Sequence, residues 1–407
     1  MLRSLSTGVT GLRTEQAALD VIGNNVANIN TTGYKGSRVA FSDILSQTLT
    51  GDQAPSTNTG GKDATQIGLG VTLGAVSTLF TQGAIQTTDH QTDLAIQGGG
   101  LFVLRNGAQE FYSRAGAFTL DANGVLVDSV TGYRVQGAAG DITIAPGSTV
   151  PASATANIAL GGNLDGSAAA GTTYVGTLSE NDSLGTAHTL TITFTKAAGA
   201  GVWNYAVTTS DPNITGLGAG ASGSITFGAN GAITAGATGT LSISYAASAG
   251  VTSPQAVALD FGSAANTSPM TGFAGTSTAA MTSQDGYASG SLTSFTIGAD
   301  GSVIGTYSNG RNQTIDQLQL ANFANPEGLV RAGQNLFQVS QNSGPAQLGN
   351  PGSGGRGTII AGALEGSNVD LAREFTEMIT HQRGFEANAR VIRTGDEILQ
   401  TVVNMMQ

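Results

Sequence analysis

The two ends of this chain share a seven-residue apolar repeat that the stretch between them lacks. Near the N-terminus Leu5, Leu12, Leu19 and Val26 recur every seven positions, with Ile22 and Ile29 as a second row beside them. Such spacing marks a narrow apolar seam on a helix from about Ser4 to Asn28. At the other end Leu371, Met378, Phe385, Ile392, Leu399 and Met406 keep the same interval, and Phe375, Ala389 and Val403 widen the stripe. Ser367, with Asp370 three residues on, predicts the start of this second helix: a capping hydroxyl and an acid near the positive end of the dipole. One stripe alone is most simply covered by its own core. Matching stripes at both termini predict that the two ends meet in a coiled-coil-like layer.

Between about Ile67 and Ala363 the period switches to two, and Thr, Ser, Val, Ala and Gly dominate. Short alternating strands with Asn-Gly and Gly-rich turns predict antiparallel β structure. A weak repeat agrees: "FTLDANGVL" from Phe118, "ITFGANGAI" from Ile225 and "FTIGADGSV" from Phe295 each show strand, turn and returning strand. From about Ser148 to Asp285 large apolar residues thin out, so this segment is expected to form a separate β domain with a thin core, inserted into another. The expected class is α+β with discontinuous, nested domains: residues 1–30 and 367–407 helical, 31–75 a connector with a polar insertion at 46–66, 76–147 and 286–366 an inner β domain, and 148–285 an outer one.

The usual chemistry is missing. Only 11% of the 407 residues are charged, 60 are glycine, and the net charge is −11. Lysine occurs only at Lys35, Lys62 and Lys196 and the arginines are scattered, which argues against a nucleic-acid partner. With no cysteine there is neither a disulfide framework nor thiolate chemistry. His90, His188 and His381 are too far apart along the chain to suggest a metal cluster. Asp89 to Asp93 is expected to be a solvated turn, and Asp121 to Asp128 lacks the alternating oxygen ligands and terminal Glu of a calcium loop. No nucleophile elbow or phosphate-cradling loop occurs, so no catalytic, cofactor or metal residue is expected. Neither a cleaved secretory signal nor a membrane span is expected, since the first residues lack an apolar core region and no 18-residue apolar run occurs.

The first helix runs into "IGNNVANINTTGYKG". Asn tolerates the left-handed conformation and hydrogen-bonds its own backbone, so Asn28 or Asn30 can stop the helix. Asn24 and Asn28 share one face, where uncharged amides can bridge to a neighbouring chain without burying an ion; Asn25 lies between them. Gly33 permits a turn, Tyr34 offers a flat anchor, and Lys35 follows.

These residues carry a resemblance. "LDVIGNNVANINTTGYKGSRVAF" is similar to the signature of the bacterial flagellar rod and hook family of axial proteins, and "LEGSNVDLAREFTEMITHQRGFEANARVIRTGDEILQTVVNMMQ" to its C-terminal helix. Residues 317–344 further resemble the hook members, whereas the 46–66 insertion is of a kind associated with the distal rod. The resemblance implies a structural homopolymer: a curved, flexible tube between rod and filament that transmits torque as a universal joint. It also implies export through the flagellar type III apparatus without a cleaved signal, and contact with distal rod, hook cap and hook–filament junction proteins. A secreted β-rich adhesin would explain the middle of the chain but not its paired ends.

Overall fold

The computed structural model describes residues 2–55, 57 and 59–405; Met406, the last of the C-terminal apolar row, lies outside them. Two helices bracket a mainly antiparallel β structure: α1, Leu2–Ala27, and α2, Leu371–Met405. The chain divides into two compact units. The first is Met1–Pro146, Phe295–Ile304 and Thr314–Gln407; the second is Gly147–Ser294 and Gly305–Gln313. The terminal helices thus share a unit with the β strands nearest them in sequence.

In the first unit the stretch after the helix-ending asparagines is a long hairpin rather than a plain connector. β1, Ser37–Asp43, pairs antiparallel with β4, Val71–Thr78, and β2, Ser46–Thr50, pairs with β3, Thr65–Gly68. The polar insertion is the far part of this ladder. Its apolar residues occupy facing positions: Val39 opposite Val76, and Phe41 opposite Leu73. α1 packs against β1 and β4, so the N-terminal helix has a partner close by in sequence.

The body of this unit is an antiparallel sheet through Leu101–Asn106, Gln109–Ser113, Phe118–Leu120 and Leu126–Asp128, joined by Leu320–Asn322 and Leu336–Gln338. Phe102 meets Phe118 edge-on at 5.0 Å and Tyr112 meets Phe323 at 4.9 Å, the geometry favoured by ring quadrupoles. The repeated hairpins form as the sequence predicts. Phe118–Leu120 returns as Leu126–Asp128, Phe227 pairs with Ile233, and Gly298 donates to the Ser302 carbonyl at 2.8 Å. The turn glycines Gly124, Gly231 and Gly301 all have φ between 74° and 81°, which a side chain would strain.

The second unit departs from expectation in two ways. Its core is substantial: Trp203, Phe194, Phe227 and Phe261 are buried with Leu178, Leu190, Ile192, Leu241 and Leu259. The apolar residues are few but alternate strictly, as in Ala187–Lys196, so nearly all of them face inward while Thr and Ser take the outer face. The pairing is also not wholly antiparallel, because Asn157–Asn163 runs parallel to Gln255–Asp260 and to Met270–Thr271. Strands so far apart in sequence can pair either way, since no tight turn dictates direction.

Candidate assembly surface

The asparagine-rich helix end is a junction within the chain. Asn25, buried, treats the start of β1 as a strand would: its side-chain oxygen accepts from Ser37 N–H at 2.9 Å and its amide donates to Ser37 O at 2.8 Å. The same amide reaches the Glu374 carboxylate on α2 at 3.2 Å. Asn24 accepts from the Tyr34 hydroxyl at 2.7 Å, and Asn28 donates to the Asn24 carbonyl at 2.9 Å. Tyr34 is buried beneath the Arg331 guanidinium, 5.2 Å from its ring centre. These amides therefore tie α1, β1 and α2 together inside one chain. Gly33 is required outright: its φ is +67°, its N–H donates to the Glu365 carbonyl at 2.7 Å, and a Cβ would lie 2.4 Å from Ala115 N.

Lys35 leads to the most charged point of the interior. The carboxylate of Glu365, fully buried, accepts from Lys35 Nζ at 2.7 Å, from the Arg114 guanidinium, and from Gly83 N–H at 2.8 Å. Arg114 also donates to the Ile96 and Gly98 carbonyls, at 2.8 and 2.6 Å, and Lys35 to the Thr81 carbonyl at 2.7 Å. Two cations share one anion here. Burial pulls the Lys35 ammonium below its ordinary range and the Arg114 charge adds to that, while the bond to Glu365 and its charge oppose it. Asn368 completes the junction, accepting from Gly36 N–H and donating to the Leu79 carbonyl, both at 2.8 Å. Arg114, Glu365 and Asn368 were not singled out in the sequence. The available signal was a lone Arg and a lone Glu in stretches nearly free of other charge.

α1 and α2 pack antiparallel. Their closest approaches involve small residues on one helix facing larger ones on the other. A Cβ at Gly8 would lie 3.1 Å from Ile392, at Gly11 2.7 Å from the Asn388 amide, at Gly384 2.6 Å from Glu15, and at Gly395 2.8 Å from Leu5. His381 Nδ1 lies 2.6 Å from Glu15 Oε2 across the same seam. On α1 the buried face is Gly8, Gly11, Thr14, Ala18, Ile22 and Asn25, with Leu5, Leu12, Leu19 and Val26 half-buried at its flank.

On α2, Met378, Ile392 and Leu399 are half-buried, whereas Leu371, Phe375 and Phe385 are exposed, Phe385 by 38% and Phe375 by 47%. At 100° per residue the exposed apolar side chains fall on both sides of the line that meets α1. Leu371, Phe375, Phe385 and Val403 lie on one side, and Val391, Ile398 and Val402 on the other. Such a helix has one face covered and two apolar ridges uncovered, far more than the scattered exposed apolar residues of an ordinary surface.

Among the described residues no group of His, Asp and Glu is placed to hold a metal ion, and no helix is long and apolar enough to cross a membrane. A β body, an ionic knot next to the ends of both helices, and apolar ridges left open along one helix describe a structural subunit rather than a site for small-molecule chemistry.

Comparison with known proteins gives the family. Residues 5–35 match the flagella basal body rod protein family, 95–163 the flagellar hook protein FlgE/F/G D1 domain, 149–287 the flagellar basal body protein FlaE D2 domain, and 360–405 the flagellar basal body rod FlgEFG protein C-terminal family. The chain is 39% identical to the flagellar hook protein FlgE of Treponema pallidum over the full length of both. It is 34% identical to that of Escherichia coli over 99% of this chain and all of the other. The rod protein FlgG of Bacillus subtilis is 31% identical, over all of this chain and 99% of its own length. The crystal structure of the Helicobacter pylori hook protein FlgE2 shares the fold, with a TM-score of 0.53 at 13% identity over 69% of this chain and all of the other. This chain belongs to the flagellar hook and rod protein family, among its hook proteins.

Proposed function

We propose that this chain polymerises into the curved tube of the flagellar hook, a flexible joint passing torque from rod to filament, and that its terminal helices form the polymer contacts. The observation that carries the reading is the pair of uncovered apolar ridges on α2 in a chain that is similar to hook proteins over its whole length. Two ridges on opposite sides suit a heterologous contact, in which each helix meets different neighbours left and right and the array grows without closing. The coiled-coil-like layer expected from the heptads then forms between chains. Leu5, Leu12, Leu19 and Val26 of α1 belong to it, with Leu371, Phe375, Met378, Phe385, Ile392 and Leu399, while Ile22 stays buried within its own chain. The role of the subunit is structural rather than catalytic.

The helices line the tube, and the β structure lies outside them. Assembly places the subunit at the distal end of the basal body, outside the cell, after type III export without signal cleavage. It meets the distal rod, hook cap and hook–filament junction proteins there. Sparse charge on the β surfaces lets neighbours slide as the bend rotates, because few ion pairs need to break.

Replacing residues 148–285 by a short Gly/Ser linker tests this arrangement. Electron microscopy of cells carrying the shortened gene is expected to show tubes of altered curvature or stiffness. A shortened protein that is stable and exported but forms no tubes contradicts the division into an assembling part and a part that assembly does not need.

A further inference from the structure

At one end of the second unit separate chain segments converge on a histidine. His188, at the start of the strand Ala187–Lys196, is only 2% exposed. Its Nδ1 lies 2.6 Å from Asp211 Oδ2 and its Nε2 3.3 Å from Asp182 Oδ2. Each carboxylate uses its other oxygen to hold its own turn. Asp182 accepts from the amides of Leu184 and Thr186 at 2.9 and 2.8 Å, and Asp211 from that of Asn213 at 2.8 Å. A third loop joins through Ser183, whose hydroxyl accepts from Thr252 N–H at 2.9 Å.

An ionised carboxylate only accepts hydrogen bonds, and a neutral imidazole carries a single N–H. Two carboxylates on the two ring nitrogens are both satisfied only by the imidazolium. We propose that His188 is a proton-dependent staple: protonated, it binds the 182–186 turn to the 210–213 loop, and loss of its proton in alkaline solution releases that end of the unit.

The groups facing His188 are one cation's worth of partners and more. Besides Asp182 and Asp211, the Tyr245 ring packs on the imidazole at 5.3 Å, and behind it lies Glu180, fully buried. Glu180 accepts from the Tyr245 hydroxyl at 2.7 Å and from the Gln255 amide at 3.3 Å. Burial works against charge on His188, but the bonds to Asp211 and Asp182 and the Glu180 charge outweigh it, so the imidazole is held above its ordinary value of ~6.5. For Asp182 burial likewise opposes ionisation, and the bonds from Thr186, His188 and Leu184 outweigh it; for Asp211 the His188 bond leads. Both are held below the ordinary carboxylate range. Glu180 is pushed up by its burial, with the Tyr245 bond opposing.

The signs follow by linkage. A raised histidine contributes stability that is complete below ~6.5 and is lost as pH rises through its raised value. The depressed aspartates contribute stability that is lost only as pH falls through theirs. Glu180, raised, favours the folded state as pH falls, in step with His188 and against the loss from the aspartates. The staple is therefore closed at and below the ordinary histidine value of ~6.5 and opens as pH rises through the raised value of His188.

The full chain offers convenient probes, with three histidines and a single tryptophan, Trp203, buried in the core of this same unit. Imidazole nitrogen NMR of the full-length protein across pH, with His188→Gln to identify the signal, is expected to find His188 doubly protonated where a free histidine side chain is neutral. Trp203 fluorescence is expected to give a denaturation midpoint that falls from neutral to alkaline pH in the wild type. In His188→Gln the midpoint is lower and loses that dependence. Asp211→Asn, which keeps the histidine and removes one carboxylate, is expected to bring its titration down and serves if His188→Gln does not fold. A single-proton neutral tautomer at neutral pH, or an alkaline loss of the same size in wild type and His188→Gln, overturns the proposal.

Discussion

Phe385→Asp is expected to yield a folded, exported subunit that forms no tubes. The side chain stands on an exposed ridge of α2, clear of the Gly384 and Asn388 contacts with α1, so a carboxylate there is solvated in the free chain. In the proposed polymer the same position is expected to be covered. Losing a buried aromatic forfeits roughly 1.5–3 kcal/mol per contact, and desolvating an unpaired carboxylate adds to that. Since 1.4 kcal/mol is tenfold in an equilibrium, the critical concentration for assembly is expected to rise by at least about 100-fold. Arg383→Ala, on a neighbouring exposed position away from both ridges, is expected to change it by less than about threefold. Sedimentation of purified subunit at graded concentrations, with circular dichroism as the folding control, measures both. Normal tubes from the Phe385 variant would remove the ridges from the contact.

Glu365→Ala has the larger effect on the subunit itself. It strips the shared carboxylate from two buried cations, Lys35 and Arg114, and leaves Gly83 N–H without its acceptor. Removing one member of a buried ionic group costs about 3–5 kcal/mol, because the charges left behind stay desolvated. Arg134→Ala, which breaks the exposed pair with Asp141, serves as the contrast and is expected to cost no more than about 1 kcal/mol. Urea denaturation followed by far-ultraviolet circular dichroism separates the two. The Lys35 side of the same argument explains why a lysine belongs after Gly33 and Tyr34: it reaches into the junction instead of toward solvent.

The terminal helices were legible because a seven-residue repeat has a single economical explanation, and the ends agree closely: about Ser4 to Asn28 expected, Leu2–Ala27 found. The start of α2 was legible in kind, though the cap is Asp370, which accepts from Ala372 N–H at 2.9 Å, while Ser367 holds only the loop amide of Val369 at 3.3 Å. What the repeat did not reveal is which residues touch. Large apolar side chains draw attention, yet within one chain the helices meet at Gly8, Gly11, Gly384 and Gly395, where backbones can approach. Leu5 and Ile392 of the apolar rows meet those glycines, while Leu371, Phe375 and Phe385 are left to solvent. The hairpin through residues 37–78 was hidden by its polar tip, since ladder hydrogen bonds need no apolar pattern to form. The knot at Glu365 joins positions more than 300 residues apart in sequence from Lys35, a pairing that no local pattern encodes.

Amide hydrogen exchange, compared between the purified monomer and assembled tubes, tests most directly whether the terminal helices are the polymer contact. In the monomer α1 packs on β1, β4 and one face of α2, but α2 keeps two apolar ridges uncovered, so both helices are expected to exchange faster than the Trp203 core, α2 most of all. In tubes, peptides from Leu2–Ala27 and Leu371–Met405 are expected to become strongly protected, while those from the Trp203 core change little. Strong protection of both helices already in the monomer, or no gain on assembly, would contradict the account.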